Sequence, residues 1–165
     1  MKITPISKNL FFKGMPENYS VIDTVVSRSA QPALEDFTWL KEQGVTDIIN
    51  FRTMTVSGVN FEEEEEVKKL GMNYHNIPSI TSQPKIFNVG MFLLLIKQIS
   101  ERGGKAHIHC KAGADRTGMY SFIYKTINGI GTIAENDKEW VARGHNTKRY
   151  PYLRTWAKNV LRLYK

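Results

Sequence analysis

The stretch of sequence that decides the fold is His107-Ile108-His109-Cys110-Lys111-Ala112-Gly113-Ala114-Asp115-Arg116-Thr117-Gly118. The residues up to His109 are predicted to form a short strand, and a helix is predicted to begin near Thr117. Helix N-termini present free N–H groups to anions, and ligands of α/β proteins collect at the carboxyl ends of strands. Gly113 allows the connecting loop to curl with successive N–H groups pointing inward. The stretch therefore predicts an anion-binding loop.

The rest of the chain alternates predicted strands with predicted helices. Strands are predicted at 25–28, 45–51, 73–77 and 106–109. Helices are predicted at 34–43, 61–70, 87–102, 132–142 and 152–164, besides the one that begins near 117. This alternation predicts an α/β fold, in which a single domain over 1–165 has a central, mostly parallel sheet flanked by helices.

The composition fits a soluble chain of 165 residues with one core, since 41% of the residues are hydrophobic. The apolar run from Met91 to Ile96 is too short to cross a bilayer. The N-terminal residues Met1 to Pro5 lack the apolar stretch of a secretory signal. Cys110 is the single cysteine, so no internal disulfide forms. We expect a cytoplasmic protein without a transmembrane segment.

The net charge of +7 is unevenly distributed along the chain. Residues 1–100 carry 10 basic and 11 acidic side chains, whereas residues 101–165 carry 13 basic and 5 acidic ones. A basic C-terminal part favours an anionic partner such as a phosphate ester. Aromatic and basic residues do not interleave as in a single-strand groove, so no stable nucleic-acid partner is expected. We expect a monomer that needs no cofactor.

The position of Cys110 indicates a reactive thiol rather than a small buried hydrophobe. At the mouth of an anion-binding loop, the local positive field stabilises the thiolate, which is the nucleophilic form. Arg116 would close the loop with a planar fork that suits two phosphate oxygens. The two residues together predict nucleophilic chemistry on a phosphate group.

The loop resembles the signature of the protein tyrosine phosphatase superfamily in its pattern His109-Cys110-x5-Arg116-Thr117, with Gly113 in its place. Two earlier segments, 28–32 and 48–52, are similar to the opening segments of compact bacterial, plant and fungal atypical dual-specificity phosphatases. The resemblance covers most of the chain from about Val25 to the helix after Thr117, and the C-terminal part matches more loosely. It implies a cysteine-dependent phosphatase fold and activity.

The resemblance also implies a role for each residue of the loop. Cys110 attacks phosphorus and forms a thiophosphate intermediate, while Arg116 holds the equatorial oxygens. His109 orients the loop and tunes the thiol, and Thr117 donates to the sulfur and helps it leave. The phosphate-binding segment comprises Lys111, Ala112, Gly113, Ala114, Asp115 and Arg116.

The proton donor for the leaving group departs from the family pattern. The superfamily usually places this aspartate on a separate loop about thirty residues before the cysteine, but 76–84 contains no aspartate or glutamate. Asp115, inside the loop, is the predicted replacement, and it is similar in position to the in-loop aspartate of myotubularin-like and bacterial phosphoinositide phosphatases. The alternative is that Asp115 only pairs with a nearby arginine or caps the helix.

The substrate prediction depends on Lys111, which adds a second positive charge to the loop. A polyphosphorylated ring favours extra cations, whereas phosphotyrosine needs a deep, partly apolar slot. Inositol phosphates or phosphoinositides are therefore favoured over a phosphotyrosine or dual-specificity protein substrate. The candidate rim contacts are Arg28, Arg52 and the pair at 148–149. Each of them is predicted to be a surface or structural residue rather than a catalytic one.

Several other functions stay open at this point. A zinc site would use His107 and His109, with His75 and His145 as the remaining histidines, but their spacing fits no compact zinc motif. A binding module that holds phosphorylated ligands without cleaving them, a rhodanese-like sulfur transferase and an RNA 5′-phosphatase are the further alternatives.

Two charged or apolar patches are predicted to be structural. The glutamate run at 62–66 is predicted to be a solvated helix face rather than a metal site. The C-terminal stripe of Leu153, Trp156, Val160 and Leu161 is predicted to pack on the core rather than to bind a membrane.

Overall fold

Five short strands form one sheet in the computed structural model, which describes residues 14–53 and 59–164. They are β1 (Ser20–Val21), β2 (Val26–Ser29), β3 (Asp47–Asn50), β4 (Asn73–Asn76) and β5 (Ala106–His109). Their order across the sheet is β1-β2-β5-β3-β4. Only the two-residue β1 is antiparallel to its neighbour, and the other three pairings are parallel. The predicted α/β fold with a mostly parallel sheet is confirmed, although β1 was not predicted.

Among the described residues, six helices follow or connect the strands: α1 (Leu34–Glu42), α2 (Glu63–Lys69), α3 (Ile86–Glu101), α4 (Arg116–Ile127), α5 (Ile133–Ala142) and α6 (Leu153–Val160). Their ends lie within two residues of the predicted ones, except that the last helix ends at Val160 and continues as a 3-10 turn, Leu161–Tyr164. None of the helices in the described ranges is long and apolar enough to cross a membrane. The prediction about Met1 to Pro5 lies outside the described residues.

The sheet is covered on both faces because successive strand residues point to opposite sides. Ile48 packs into a cluster with Phe37, Leu40 and Val67, which come from the region of α1 and α2. Its neighbour Ile49 packs into the larger cluster formed with α3, α4 and α6. Both isoleucines are fully buried, which explains why the strand reads as a continuous apolar run in the sequence.

The C-terminal stripe packs on this larger cluster, as predicted. Leu153, Val160 and Leu161 are buried, and Trp156 is half-buried against the same cluster. The last helix thereby holds the connection between α5 and α6 close to α4. That connection matters for the site because it carries His145.

The register of the parallel strands brings their carboxyl ends to one edge of the sheet. His109 at the end of β5 lies opposite Ser29 at the end of β2 and Asn50 at the end of β3. Asn76 at the end of β4 lies opposite Asn50. The segments that leave these four strands therefore meet at the same edge, with the loop from Cys110 to Arg116 in the middle.

Candidate active site

The loop connects β5 to α4, and Cys110 is its first residue. The cysteine is a free thiol and only 2% exposed. The backbone N–H of Gln31, which follows β2, donates to the Lys111 carbonyl at 2.9 Å. The loop is thus attached to the neighbouring strand on the side of β2.

The curl of the loop depends on Gly113, which has φ +70°. A Cβ at this position would lie 2.6 Å from the Ala30 backbone nitrogen and 2.6 Å from the Ser29 carbonyl carbon. Side chains cannot fit at that separation, and L-residues rarely adopt this φ. Only glycine therefore allows the loop to pass so close to the end of β2.

Three side chains hold the carbonyl groups of the loop on its outer side. Arg28 Nη2 donates to the Gly113 carbonyl at 2.7 Å, and Trp140 Nε1 donates to the Ala114 carbonyl at 3.0 Å. Asn18 Nδ2 lies 3.3 Å from the carbonyls of both Ala112 and Gly113. Because N–H and C=O point to opposite sides of a trans peptide, these contacts turn the following N–H groups toward the inside of the loop. Such an arrangement is typical of an anion-binding nest.

Arg116 is the first residue of α4, so its guanidinium lies beside the positive end of a twelve-residue helix. Its Nη1 donates to the Ser79 carbonyl at 3.3 Å. Ser79 belongs to the segment 76–84, which follows β4 and in which no acidic residue was found. This segment does approach the loop, and it offers backbone and hydroxyl groups there instead of a carboxylate.

His109 contacts a carboxylate that was predicted to face the solvent. Glu63, the first residue of α2, is buried, and its Oε2 lies 2.8 Å from His109 Nε2. The other carboxylate oxygen accepts a hydrogen bond from Gln31 Nε2 at 2.6 Å. The prediction that the whole run 62–66 is a solvated face is therefore wrong for Glu63. A signal was present, since Glu63 lies four residues before the buried Val67 and so on the same helix face.

Two opposing effects act on the Glu63 carboxyl. Burial, the largest single effect, raises its pKa, but the charge of His109 and the hydrogen bonds from His109 and Gln31 together lower it below the ordinary value of 4.5. Glu63 is therefore held as a carboxylate behind Cys110. His109 Nδ1 lies 3.1 Å from the Cys110 carbonyl, so this histidine contacts the backbone of the cysteine.

The other histidines do not assemble into a metal site. His107 lies between two hydroxyls, Ser27 Oγ at 2.8 Å and Ser29 Oγ at 2.7 Å, and its burial and the nearby His109 lower its pKa well below the ordinary range. His75 pairs with Asp47 at 2.8 Å near the opposite edge of the sheet. In the described ranges, 14–53 and 59–164, no group of three His, Cys, Asp or Glu side chains is arranged to hold a metal ion.

Asp115 contacts a residue that was not among the predicted site residues. Its Oδ1 lies 2.7 Å from His145 Nδ1 and accepts the backbone N–H of Asn146 at 2.9 Å. Asp115 occupies the N-cap position of α4, but its side chain makes no capping hydrogen bond there. Burial raises the pKa of Asp115, and the donors at His145 and Asn146, with the charges of His145 and Arg116, outweigh burial and lower it. Only tertiary packing brings His145 here, and no local pattern in the sequence indicates it.

The remaining predicted residues lie in distinct environments. Thr117 is fully buried, and its Oγ1 has no hydrogen-bond partner among the described residues. Lys111 and Ala112 are exposed, whereas Ala114 is buried. Thr117 is thus close to the loop without the predicted bond to sulfur, and Lys111 is at the surface of the loop.

Two of the candidate rim arginines, Arg28 and Arg52, are both buried but have different surroundings. Arg28 is 1% exposed and lies behind the loop, so it is structural, and burial, followed by the charge of Arg143, lowers its pKa to about 10. Arg52 is buried and donates to Gln31 Oε1 at 3.0 Å. Its pKa is lowered first by burial and then by the charge of Arg116, while the charges of Glu63 and Cys110 raise it. Arg52 is therefore close enough to sense both ends of the loop.

An apolar groove of about 250 Å³ lies between the C-terminal part and the segment that follows β4. Its walls include Tyr150, Tyr152 and Trp156 from the C-terminal part and Pro84 from the segment after β4. A smaller cavity that shares Pro84 with the groove reaches Arg116. The groove therefore continues toward the anion-binding loop.

Comparisons with known proteins agree with this geometry. The family model described as "DSP-PTPase phosphatase fused to NAD+ Kinase" matches residues 15–150. No curated protein matches the chain. Among solved structures, the chain is similar to a DUF442 phosphatase from Shewanella putrefaciens CN-32, with 21% identity, coverage of 98% of both chains and a TM-score of 0.78.

Two further solved structures share the fold at low identity. TpbA of P. aeruginosa is 18% identical, with 89% of each chain covered and a TM-score of 0.72. The core catalytic domain of the PP-IP phosphatase SIW14 from S. cerevisiae is 18% identical, with 92% of this chain and 87% of that chain covered and a TM-score of 0.71. The matched family model spans most of this chain, which therefore belongs to the DSP-PTPase family of phosphatases.

Proposed function

We propose that the protein is a cysteine-dependent phosphomonoesterase in which Cys110 is the nucleophile and Arg116 binds the phosphate. The observation that carries this proposal is the loop itself, in which a buried cysteine and the first residue of α4 bracket peptide groups whose carbonyls are held on the outer side by neighbouring side chains. A loop of this kind favours the thiolate and binds the dianionic phosphoryl group. Cys110 attacks phosphorus to give a thiophosphate intermediate, which water then hydrolyses.

His109 and Thr117 would support the cysteine in different ways. His109 fixes the backbone at Cys110, and the buried Glu63 fixes His109. Thr117 has a buried hydroxyl without a hydrogen-bond partner in the described part of the chain, so its proton is available to donate. We assign Thr117 the role of stabilising the departing thiolate during hydrolysis.

The proton for the leaving oxygen would come from Asp115. The segment 76–84 approaches Arg116 but has no carboxyl group to offer. Asp115 is next to Arg116, and its side chain is 24% exposed, so substrate can reach it. General acid catalysis of this kind contributes about 10²–10⁴-fold, mainly for poor leaving groups.

The substrate we favour is an inositol phosphate or phosphoinositide. The exposed Lys111 adds positive charge to the loop, and Arg52, although buried, adds to the positive potential there, which a substrate with several phosphates can use. SIW14, a protein of the same fold, is described as a PP-IP phosphatase. The cations support a polyanionic substrate at this site.

A second candidate substrate is an aryl phosphate such as phosphotyrosine. The groove lined by Tyr150, Tyr152 and Trp156 would accept an aromatic ring next to the phosphate site. TpbA, which also shares the fold, is known in complex with pTyr. This candidate rests on the groove, whereas the first rests on the cations.

Phosphate release from a panel of substrates separates the candidates. The panel contains a soluble inositol polyphosphate, phosphoinositide vesicles, a phosphotyrosine peptide and triphosphate RNA. We expect Cys110→Ser to abolish turnover while it still binds substrate. Appreciable turnover by this variant would refute the proposed mechanism, and binding without turnover by the wild type would indicate a non-catalytic binding module.

A charge variant tests the choice of substrate. Lys111→Ala should lower kcat/KM for the inositol polyphosphate by about two- to fivefold, as expected for one exposed ionic contact, and should change 4-nitrophenyl phosphate less. Lys41→Ala is the matched control, because Lys41 is also exposed but lies in the last turn of α1, at the opposite edge of the sheet. Equal losses on both substrates would count against a polyanionic substrate.

A further inference from the structure

His145 is buried against the loop from the connection between α5 and α6. Its side chain is fully buried, whereas the Asp115 side chain is 24% exposed. The imidazole packs on the Trp140 indole with ring centroids 4.7 Å apart, and the same indole donates to the Ala114 carbonyl of the loop. His145 can therefore influence a substrate only through Asp115.

The hydrogen bonds determine which nitrogen of His145 carries the proton. A carboxylate only accepts hydrogen bonds, so Nδ1 must be the donor to Asp115 Oδ1. Nε2 is buried and has no partner in the described part of the chain. An N–H at Nε2 would leave a buried donor unpaired, which costs free energy, so of the two neutral tautomers the one with its proton on Nδ1 is the stable one.

The hydrogen bonds also distinguish the two carboxylate oxygens of Asp115. Oδ1 accepts two hydrogen bonds, one from His145 Nδ1 and one from the Asn146 backbone. Both donors point at this one oxygen, so a proton on the carboxyl group fits only on Oδ2. These two hydrogen bonds therefore fix which oxygen of Asp115 can carry a proton before any substrate is bound.

We infer that His145 is a positioning residue for the reaction, because its bond to Oδ1 places the acid proton of Asp115 on Oδ2 and sets the pH range in which that acid works. This inference rests on the proposed function, in which Asp115 is the proton donor. The bond stabilises the carboxylate, in agreement with the lowered pKa of Asp115.

The proton follows a closed cycle in this scheme. As the thiolate of Cys110 forms the S–P bond, the bond from phosphorus to the leaving oxygen breaks and its electron pair takes the proton from Asp115 Oδ2. Water then forms a new P–O bond, the S–P electron pair returns to sulfur, and one water proton returns to Oδ2. His145 keeps its Nδ1 proton throughout, so it holds the acid without being consumed.

Several other charged or titratable groups lie on the elements around the contact between Asp115 and His145. The charged or titratable side chains on the surrounding elements include Cys110 and Lys111 in the loop, Arg116 on α4, Glu139 on α5, Arg143 directly after α5, and Lys148 and Arg149 before α6. Arg116 lowers the pKa of Asp115 directly. Glu139 and Arg143 pair with each other at 3.2 Å. A variant of His145 leaves all of these charges in place.

The test compares pH profiles of kcat/KM for a poor leaving group, an alkyl phosphate, and a good one, 4-nitrophenyl phosphate. His145→Ala removes a stabiliser of the carboxylate, so the acid form persists to higher pH. We expect its alkaline limb on the alkyl phosphate to move up by about one pH unit, the size expected for one lost hydrogen bond to a charged group. His145→Asn keeps a donor near the position of Nδ1 and should return the limb toward the wild type.

A matched control is provided by His75, which also contacts an aspartate at 2.8 Å, but that aspartate is Asp47, the first residue of β3, at the amino ends of the strands. His75→Ala should leave the pH profile unchanged. The inference is overturned if His145→Ala keeps the wild-type limb, or if His145→Asn behaves like His145→Ala. Turnover by Cys110→Ser would instead refute the proposed function, and a normal rate of Asp115→Asn on the alkyl phosphate would refute the acid role.

A measurement on the wild type does not depend on how the variants fold. Nitrogen-15 NMR of the imidazole distinguishes the two neutral tautomers at pH values where the ring is neutral. We expect His145 to carry its proton on Nδ1. A proton on Nε2 would overturn the inference, because Nδ1 would then be unable to donate to Asp115.

Discussion

Two histidine–carboxylate contacts flank the loop, and they differ in burial. Glu63 and His109 lie behind Cys110 and are both nearly inaccessible, with side-chain exposures of 7% and 0%. Asp115 and His145 lie at the other end of the loop, and there the carboxylate is 24% exposed. A carboxylate that no substrate can reach serves to hold the backbone and the electrostatic field, whereas one that substrate can reach is able to exchange a proton. Under the proposed function, the Glu63 contact therefore serves stability and the Asp115 contact serves catalysis.

The largest expected effect comes from breaking the buried contact. Glu63→Ala leaves His109 and Gln31 without their acceptor inside the protein, and we expect the free energy of unfolding to fall by about 3 kcal/mol. Chemical unfolding followed by circular dichroism measures this loss. Glu64→Ala is the matched control, because Glu64 is the next residue but forms an exposed pair with Lys68, and it should cost less than about 0.5 kcal/mol. Equal losses in the two variants would contradict the structural role of Glu63.

The burial of Glu63 was harder to predict from the sequence than the loop or the sheet. The loop was predictable because its nucleophile, glycine and arginine lie close together in the sequence, and the sheet was predictable because the strands 47–50 and 106–109 are short runs bounded by turn signals. A run of glutamates, in contrast, resembles a solvated surface, and only its phase relative to Val67 indicates that one of them points inward. The two-residue β1 has no periodicity to detect.

His145 was beyond prediction for a different reason. It lies far along the chain from Asp115, in a connection without periodic structure, and the contact exists because α5 packs on α4 through Trp140 and Gly118. A Cβ at Gly118 would lie 2.2 Å from the Trp140 ring. Close approach of this kind follows from the packing of two helices, and the sequence of the connection contains no trace of it.

An effect of intermediate size is expected on the free energy of unfolding when the pH is lowered. The pKa of Glu63 is lowered in the folded protein, so its carboxylate contributes stability that is complete above the ordinary value of 4.5 and is lost as the pH falls through the lower, folded value. The difference in unfolding free energy between wild type and Glu63→Gln should therefore be largest near neutral pH and shrink as the pH falls below 4.5.

The comparison of wild type with Glu63→Gln isolates this carboxylate from the others. Asp47, Asp115, Asp137 and Glu139 also have lowered pKa values, and all four are present in both proteins. Unfolding curves at several pH values give the difference directly. A difference that stays constant from neutral to acidic pH would show that Glu63 is not stabilised as a carboxylate in the folded state.

The smallest expected effect is on stability at the partly exposed contact. In Asp115→Asn the amide oxygen still accepts from His145 Nδ1 and the Asn146 backbone, so the free energy of unfolding should change by about 1 kcal/mol or less. The same variant should lose about 10²-fold or more in kcat/KM for an alkyl phosphate, because an amide cannot donate a proton to the leaving oxygen. Differential scanning calorimetry and the rate assay on one preparation test both statements. A loss of stability as large as that of Glu63→Ala would assign Asp115 to the framework of the loop, and the distinction between the two contacts would disappear.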